Sequence, residues 1–358
     1  MAILINIFKE KLKKISNSTR TELPKGSRKF VKALRLYKPY DLRLEDVDLP
    51  VLSEGWALVK TVAVGICGTD KAFYTGSYPL FKTPLVPGHE VVGVVVSRGP
   101  LEGAAVVSEI NFSCGKCYYC RSGLYTHCPY KKTLGIDFDG GFAEFFTAPL
   151  QALHPVDGVD PVEATEVEPL AAVLNAFEQH PPSPMAKVAV IGTGNLAYLA
   201  TQVLIAMGLT PVVVVRRGSP KAVHFSRLGA EVVFEDEVKS YIAKSTPEGL
   251  GFDVVFEASG NVEGLNTAIS IARPRGVIHM KSTPGAIFKV DMTKAVVKEL
   301  RIIGTRCGTF KEFRKAIEML KQRIVKPLIT SIFTGIESGA KAFEKSLERS
   351  EVKVVVKL

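Results

Sequence analysis

Residues 65–70 read Gly-Ile-Cys-Gly-Thr-Asp, which sets a thiol, a hydroxyl and a carboxylate within four consecutive positions. A thiolate is a soft metal ligand, and its polar neighbours can donate a proton or orient a second ligand. Gly88-His89-Glu90 follows as another potential ligand set. Cys114, Cys117, Cys120 and Cys128 then stand at C-x2-C-x2-C-x7-C. Four thiolates on one short loop can close a tetrahedral cage around zinc, and a cage with no open position is structural. The ferredoxin pattern opens in the same way but has x3 before its last cysteine. His127 adjoins Cys128, yet four thiolates already fill that cage; Cys307 reads as a core thiol. His154, His180, His224 and His279 are isolated and take no role.

A second kind of chemistry begins after Pro181-Pro182-Ser183-Pro184. Lys187 to Ile191 is an apolar strand, Gly192-Thr193-Gly194-Asn195-Leu196-Ala197 a turn, Leu196 to Met207 a helix ended by Gly208, and Pro211 to Val215 a strand. Strand, glycine turn, helix and strand in about thirty residues make a mononucleotide-binding unit. Gly192 permits the tight turn, Gly194 lets the backbone approach a pyrophosphate, and Ala197 allows close helix packing. An NAD site places an acidic residue at the end of the second strand. Here that position is Arg216, followed by Arg217, Ser219 and Lys221. Arginine can bind a 2′-phosphate with paired hydrogen bonds, so NADP is expected over NAD.

The elements that must position these groups fall into two sets. Val31–Leu36, Trp56–Val62 and Val91–Ser97 are short, β-rich and broken by Pro, Gly and Asp, with no helix of useful length before the cysteines. They predict a mostly antiparallel, barrel-like domain over 30–180. Glu168-Pro169-Leu170 opens an apolar helix through Phe177, with Glu168 at its positive end. From 181 to 304 helices alternate with the strands Glu231–Phe234, Phe252–Phe256, Val277–Met280 and Leu300–Ile303, which predicts an open parallel sheet. Residues 305–358, with a helix near Lys311–Leu320 and the strand Val352–Val356, are expected to return to the first domain.

Residues 1–29 read as an extension. Ile3, Leu4, Ile7, Phe8, Leu12 and Ile15 recur at helical spacing among lysines, and a polar linker follows. Over 358 residues the net charge is +10, from 46 Lys+Arg against 36 Asp+Glu, without a long basic run or nucleic-acid signature. The excess therefore suits a solvated basic surface together with a phosphate pocket, and neither nucleic acid nor a membrane is an expected partner. No apolar run approaches the ~20 residues of a bilayer span. Metal-type cysteine spacing without a secretion signal favours the reducing cytoplasm.

In this order, Gly65–Asp70, Gly88-His89-Glu90, the four cysteines, Glu168-Pro169-Leu170 and Gly192–Ala197 make the chain resemble the medium-chain zinc-dependent alcohol and polyol dehydrogenases from about Val31 onward, with a lean to the polyol and aldose branch. The resemblance implies an α/β chain: a GroES-like β-barrel catalytic domain and a Rossmann doubly wound parallel-sheet domain, with the active site between them. It implies Cys67 and His89 as ligands of a catalytic zinc. Glu90 is then a ligand or a residue behind the ligands, and Glu168 a third or water-mediated ligand. Asp70 would hold the other nitrogen of His89, Thr69 would relay the substrate proton, and Ser259 and Lys281 would join the cofactor contacts. It further implies two zinc ions per chain, a small alcohol, polyol, sugar or carbonyl substrate, and a homodimer or homotetramer. One departure is Ala72, which stands where many relatives carry the histidine that completes the proton relay. Two other readings compete. One is a zinc-independent aldehyde, ketone or quinone reductase of the same fold. The other is a non-catalytic NADP-binding protein, which predicts loss of ligands such as Cys67, His89 and Glu168.

Overall fold

The computed structural model describes residues 29–358; the amphipathic stretch and linker read from the sequence lie outside the described residues, apart from Lys29. One of its two large sheets is six-stranded and all-parallel. The strands are Val188–Ile191, Val212–Val215, Glu231–Phe234, Phe252–Glu257, Ala272–Met280 and Arg301–Gly304. Numbered in chain order, they lie in space as 3-2-1-4-5-6. The order reverses beside the first strand, and open α/β sheets bind ligands at such a point, outside the carboxyl ends of the strands. Val-Ala-Val-Ile and Val-Val-Val-Val are buried on both faces, which is why these strands read as unbroken apolar runs.

The second sheet is mixed. Its order is Ile329–Thr334, Lys353–Lys357, Trp56–Gly65, Glu90–Val95, Ala105–Ser108 and Leu153–Pro155, with Phe145–Pro149 also pairing Trp56–Gly65. The last strand of the chain thus runs antiparallel beside Trp56–Gly65 and brings Lys353 close to the start of Glu90–Val95. A separate hairpin joins Phe30–Lys38 to Asp41–Asp48.

The helix Val167–Gln179 stands between the sheets and is buried along most of its length. Val92 and Val107 of the mixed sheet and Val190 and Val213 of the parallel sheet share one apolar cluster with Leu170, Val173 and Phe177 of this helix. The two sheets are therefore held by a continuous core as well as by the chain.

The expectation of no helix before the cysteines is corrected. Gly68–Thr75 is helical, because Asp70 caps it by accepting the Cys67 N–H at 2.9 Å, and Gly76 ends it at φ 78°. The helices Val238–Ser245, Met292–Val297 and Gly339–Ser346 and the strand Ile329–Thr334 also went unread; each is eight residues or fewer, and so short an element repeats its period too few times to stand out in the sequence. Among the described residues, no helix is long and apolar enough to cross a membrane.

Candidate active site and metal centres

Two clusters of metal-ligating side chains occur among the described residues. In the first, Cys114, Cys117, Cys120 and Cys128 converge on a turn-rich lobe, all as free thiols. Three of the sulfur pairs are 3.4, 3.7 and 3.9 Å apart. Tetrahedral zinc with bonds of about 2.3 Å requires sulfurs roughly 3.8 Å apart, so the cage fits the ion. Backbone N–H groups aim at the sulfurs as well: those of Lys116 and then Cys117 bring the Cys114 thiol down to about 6, favouring the thiolate that a metal needs. His127 turns its Nδ1 to the Thr126 hydroxyl at 3.1 Å and joins no cluster.

The second cluster is Cys67, His89 and Glu90, whose ligand atoms all lie within 4.8 Å of one another. Cys67 sits at the head of the Gly68–Thr75 helix, and His89 and Glu90 enter the Glu90–Val95 strand. Gly88 makes that entry possible: its φ is 97°, and a Cβ there would meet the Phe142 ring at 2.7 Å. His89 is buried with Nδ1 unpartnered. Burial pushes the Cys67 thiol up, and Glu90 adds to it. Burial likewise lifts Glu168 to about 7, against the pull of His89. A thiol, an imidazole and carboxylates crowded together with an orphaned nitrogen form a donor set that a cation would relieve, so the residues fit zinc. Glu168 lies outside the tight cluster yet near enough for His89 and Glu90 to perturb it. Asp70 departs from its expected role: its Oδ1 is 3.9 Å from His89 Nδ1, beyond hydrogen-bond reach. Its oxygens instead accept the N–H groups of Cys67 at 2.9 Å and Gly88 at 3.2 Å, so it ties the two ligand segments together through backbone. Thr69 is half-buried in the first turn of the same helix.

The Gly192–Ala197 turn lies at the carboxyl end of the first parallel strand, beside the reversal of strand order. Gly192 has φ 113°, and a Cβ there would strike the Ala258 carbonyl at 2.7 Å. Over Gly194 a Cβ would meet nothing within 4 Å, so the backbone there is open to an approaching ligand. Gly194 also brings no side chain to cap the helix Asn195–Ala206, which leaves its positive end available to a phosphate. Leu196 packs against the shared core, and Ala197 is fully buried. Arg216 is exposed, 3.8 Å from Glu235. Arg217 bonds Asp236 and Glu237 and lies 4.4 Å over the Phe234 ring. Ser219 turns back on Arg216 through its N–H at 3.1 Å. Lys221 donates to the Glu351 carbonyl at 2.9 Å. Ser259 hydrogen-bonds the buried Glu257 through both its N–H and its hydroxyl.

Lys281 is a correction. Its buried ammonium bonds the carbonyls of Ala172, Thr305 and Arg306 and the Thr305 hydroxyl, which takes up its three protons. It fastens the helix Val167–Gln179 to the segment after Arg301–Gly304 instead of facing a cofactor. His154 is not isolated either. It is buried 2.9 Å from Glu109 and stacks on Phe313, with ring centroids 5.1 Å apart. His279 is buried against Phe177, with Nε2 3.0 Å from the His180 carbonyl oxygen.

Lys353, Glu166 and Lys71 lie near these sites and were missed by sequence reasoning. Lys353 is 2% exposed and pairs with both Glu90 and Glu166. Lys71 is half-buried, and burial with the ammoniums of Lys353 and Lys221 lowers it to about 8. The signal was a lysine beginning the apolar run Lys-Val-Val-Val-Lys, and an acid two positions before Glu168 in an otherwise apolar stretch.

A metal-type cluster beside the crevice of a doubly wound sheet defines a nucleotide-dependent oxidoreductase class. Comparison with known proteins agrees. The Alcohol dehydrogenase GroES-like domain family matches residues 53–158, and the Zinc-binding dehydrogenase family matches 196–322. L-threonine 3-dehydrogenase of Pyrococcus abyssi is 32% identical over 350 residues, covering 93% of this chain and 99% of that one. Sorbitol dehydrogenase of Halalkalibacterium halodurans is 31% identical over 292 residues, covering 77% of this chain and 84% of that one. A zinc-binding dehydrogenase of Sinorhizobium meliloti, solved bound to NADP, superposes with a TM-score of 0.82 at 26% identity, covering 92% of this chain and all of that one. The chain belongs to the medium-chain zinc-binding alcohol and polyol dehydrogenase family, with its GroES-like and Rossmann folds, whose members act on the CH–OH group.

Proposed function

We propose that this protein is a zinc-dependent dehydrogenase that exchanges a hydride between a small alcohol, polyol or aldose, or the matching carbonyl, and NADP. The observation that carries the reading is the convergence of Cys67, His89 and Glu90, whose ligand atoms lie within 4.8 Å of one another. Cys67, His89 and Glu90, with Glu168 as a further ligand, would hold a zinc ion that would supply Lewis-acid polarisation of the substrate oxygen, and the bound nucleotide would supply the hydride exchange.

The chain's own groups do the rest. Asp70 fixes the Cys67 and Gly88 backbones, so the thiol and imidazole keep their spacing. Thr69 offers a hydroxyl two residues from Cys67 to hold the substrate proton, and Ala72 contributes no onward group, so the proton leaves through water or another group. The open backbone at Gly194 and the helix Asn195–Ala206 take the pyrophosphate, and Lys71 and Lys221, close enough to repel each other, would add positive charge for the nucleotide's phosphates. An arginine at 216 in place of an acid supports the NADP preference. The four-cysteine lobe holds a second, structural zinc. A cytoplasmic homodimer or homotetramer is the expected form.

The test is reduction of NADP and NAD by a panel of polyols, secondary alcohols and L-threonine, before and after chelation. Turnover lost on chelation and restored by zinc is expected. Chelator-insensitive reduction of aldehydes, ketones or quinones would instead support the zinc-independent reductase.

A further inference from the structure

Four side chains from four separate segments form one buried polar chain. Glu90 Oε2 lies 2.5 Å from Lys353 Nζ, Lys353 Nζ lies 3.0 Å from Glu166 Oε1, and Asn195 Nδ2 donates to Glu166 Oε2 at 2.6 Å. Glu90 adjoins the metal cluster in the mixed sheet, and Lys353 comes from the last strand. Glu166 immediately precedes the helix between the sheets, and Asn195 is the first residue of the helix at the nucleotide turn. Glu90, Glu166 and Lys353 are 1%, 0% and 2% exposed. The fold also makes room for this chain: a Cβ on Gly65 would fall 2.6 Å from Glu90 Oε2.

Two carboxylates share one ammonium here, and the geometry therefore links two events. The trio carries a net negative charge, which favours a cation among Cys67, His89 and Glu90. The same Lys353 and Glu166 set the orientation of the Asn195 side chain, whose Oδ1 is buried and unpartnered. A group that touches both ends transmits a change at either one, and by linkage the effect is reciprocal.

We propose that Glu166 is a positioning residue that couples the Cys67/His89 metal centre to the nucleotide turn through Lys353 and Asn195. This rests on the functional reading above, and the coupling can fail while that reading stands. A merely structural Glu166 would stabilise the fold without making one site sense the other.

The experiment titrates NADPH and NADH, by their fluorescence, onto the metal-loaded protein as wild type, Glu166→Gln, Asn195→Ala and the double variant. Each single change is expected to weaken binding about tenfold, and the double no more than the worse single, as for residues acting in one network. In parallel, a chromogenic chelator strips metal with and without NADP. Bound nucleotide is expected to slow release from the Cys67 site several-fold in the wild type, and to make no difference in Glu166→Gln or Asn195→Ala. Additive losses in the double variant, or nucleotide protection that persists in both single variants, would overturn the coupling. If Glu166→Gln does not fold, Asn195→Ala leaves the Glu90–Lys353–Glu166 pairing in place and decides through the release assay alone. A wild type that binds neither nucleotide overturns the functional reading, and the coupling falls with it.

Discussion

The molecule carries two metal-type clusters built in opposite ways. The Cys114 lobe is local: its four ligands span fifteen residues, three of them are only half-buried, and its sulfurs stand at tetrahedral spacing. The Cys67 centre is assembled from separate segments, with His89 and Glu90 buried and Cys67 half-buried, and its groups are mixed, its acids repel one another and one imidazole nitrogen is unpartnered. The first arrangement satisfies a metal and stops. The second keeps spare donors and perturbed acids, which is how sites that do chemistry differ from sites that hold a fold.

The contrast is broken first by removing ligands. Cys67→Ser is expected to lower turnover by about three orders of magnitude or more, since a lost Lewis acid removes several kcal/mol of stabilisation. Its thermal unfolding should stay near that of wild type. Cys114→Ser should do the reverse, unfolding the lobe at lower temperature in a calorimeter. Equal effects of the two on activity and on melting would erase the distinction.

The buried network comes next. Lys353→Met leaves Glu90 and Glu166 without their shared cation, and breaking a buried pair costs about 3–5 kcal/mol. Denaturant unfolding should show it, and a loss below about 1 kcal/mol would mean that the carboxylates find another partner.

A pH series sharpens the comparison by separating acid unfolding from metal loss. His279 is fully buried, and burial lowers it to about 4, while the unfolded chain keeps the ordinary value of 6.5. Between those values the unfolded state binds the extra proton, so stability falls as pH drops from about 6.5 to 4, by roughly 3 kcal/mol at most. His279→Gln should flatten that slope with both metals still bound at neutral pH. An unchanged slope would place the acid sensitivity elsewhere.

The smallest expected effect concerns cofactor choice. Arg216→Asp should shift the ratio of NADP to NAD efficiency about tenfold towards NAD, a change of about 1.4 kcal/mol. No shift would move phosphate recognition to Lys221 or Lys71.

What the sequence disclosed follows the same divide. The cysteine lobe and the Gly192–Ala197 turn were legible because their chemistry is written in consecutive residues, and the parallel strands because both faces are buried. The order of the mixed sheet was not legible, since pairing Lys353–Lys357 with Trp56–Gly65 is a contact between residues about 290 apart. That pairing alone puts Lys353 against Glu90, so the network on Glu166 could not be read. Asp70 was expected on His89 from the resemblance, but backbone N–H groups of Cys67 and Gly88 claimed it. Lys281 was expected among the cofactor contacts, and three main-chain carbonyls claimed it instead.

The most direct test of the account is zinc per chain, counted by native mass spectrometry on protein purified without chelator. Two ions are expected in the wild type and one in Cys67→Ser, with that remaining ion lost when Cys114 is also replaced. A single ion in the wild type, unaffected by Cys67→Ser, would contradict a metal-assisted active site at Cys67, His89 and Glu90.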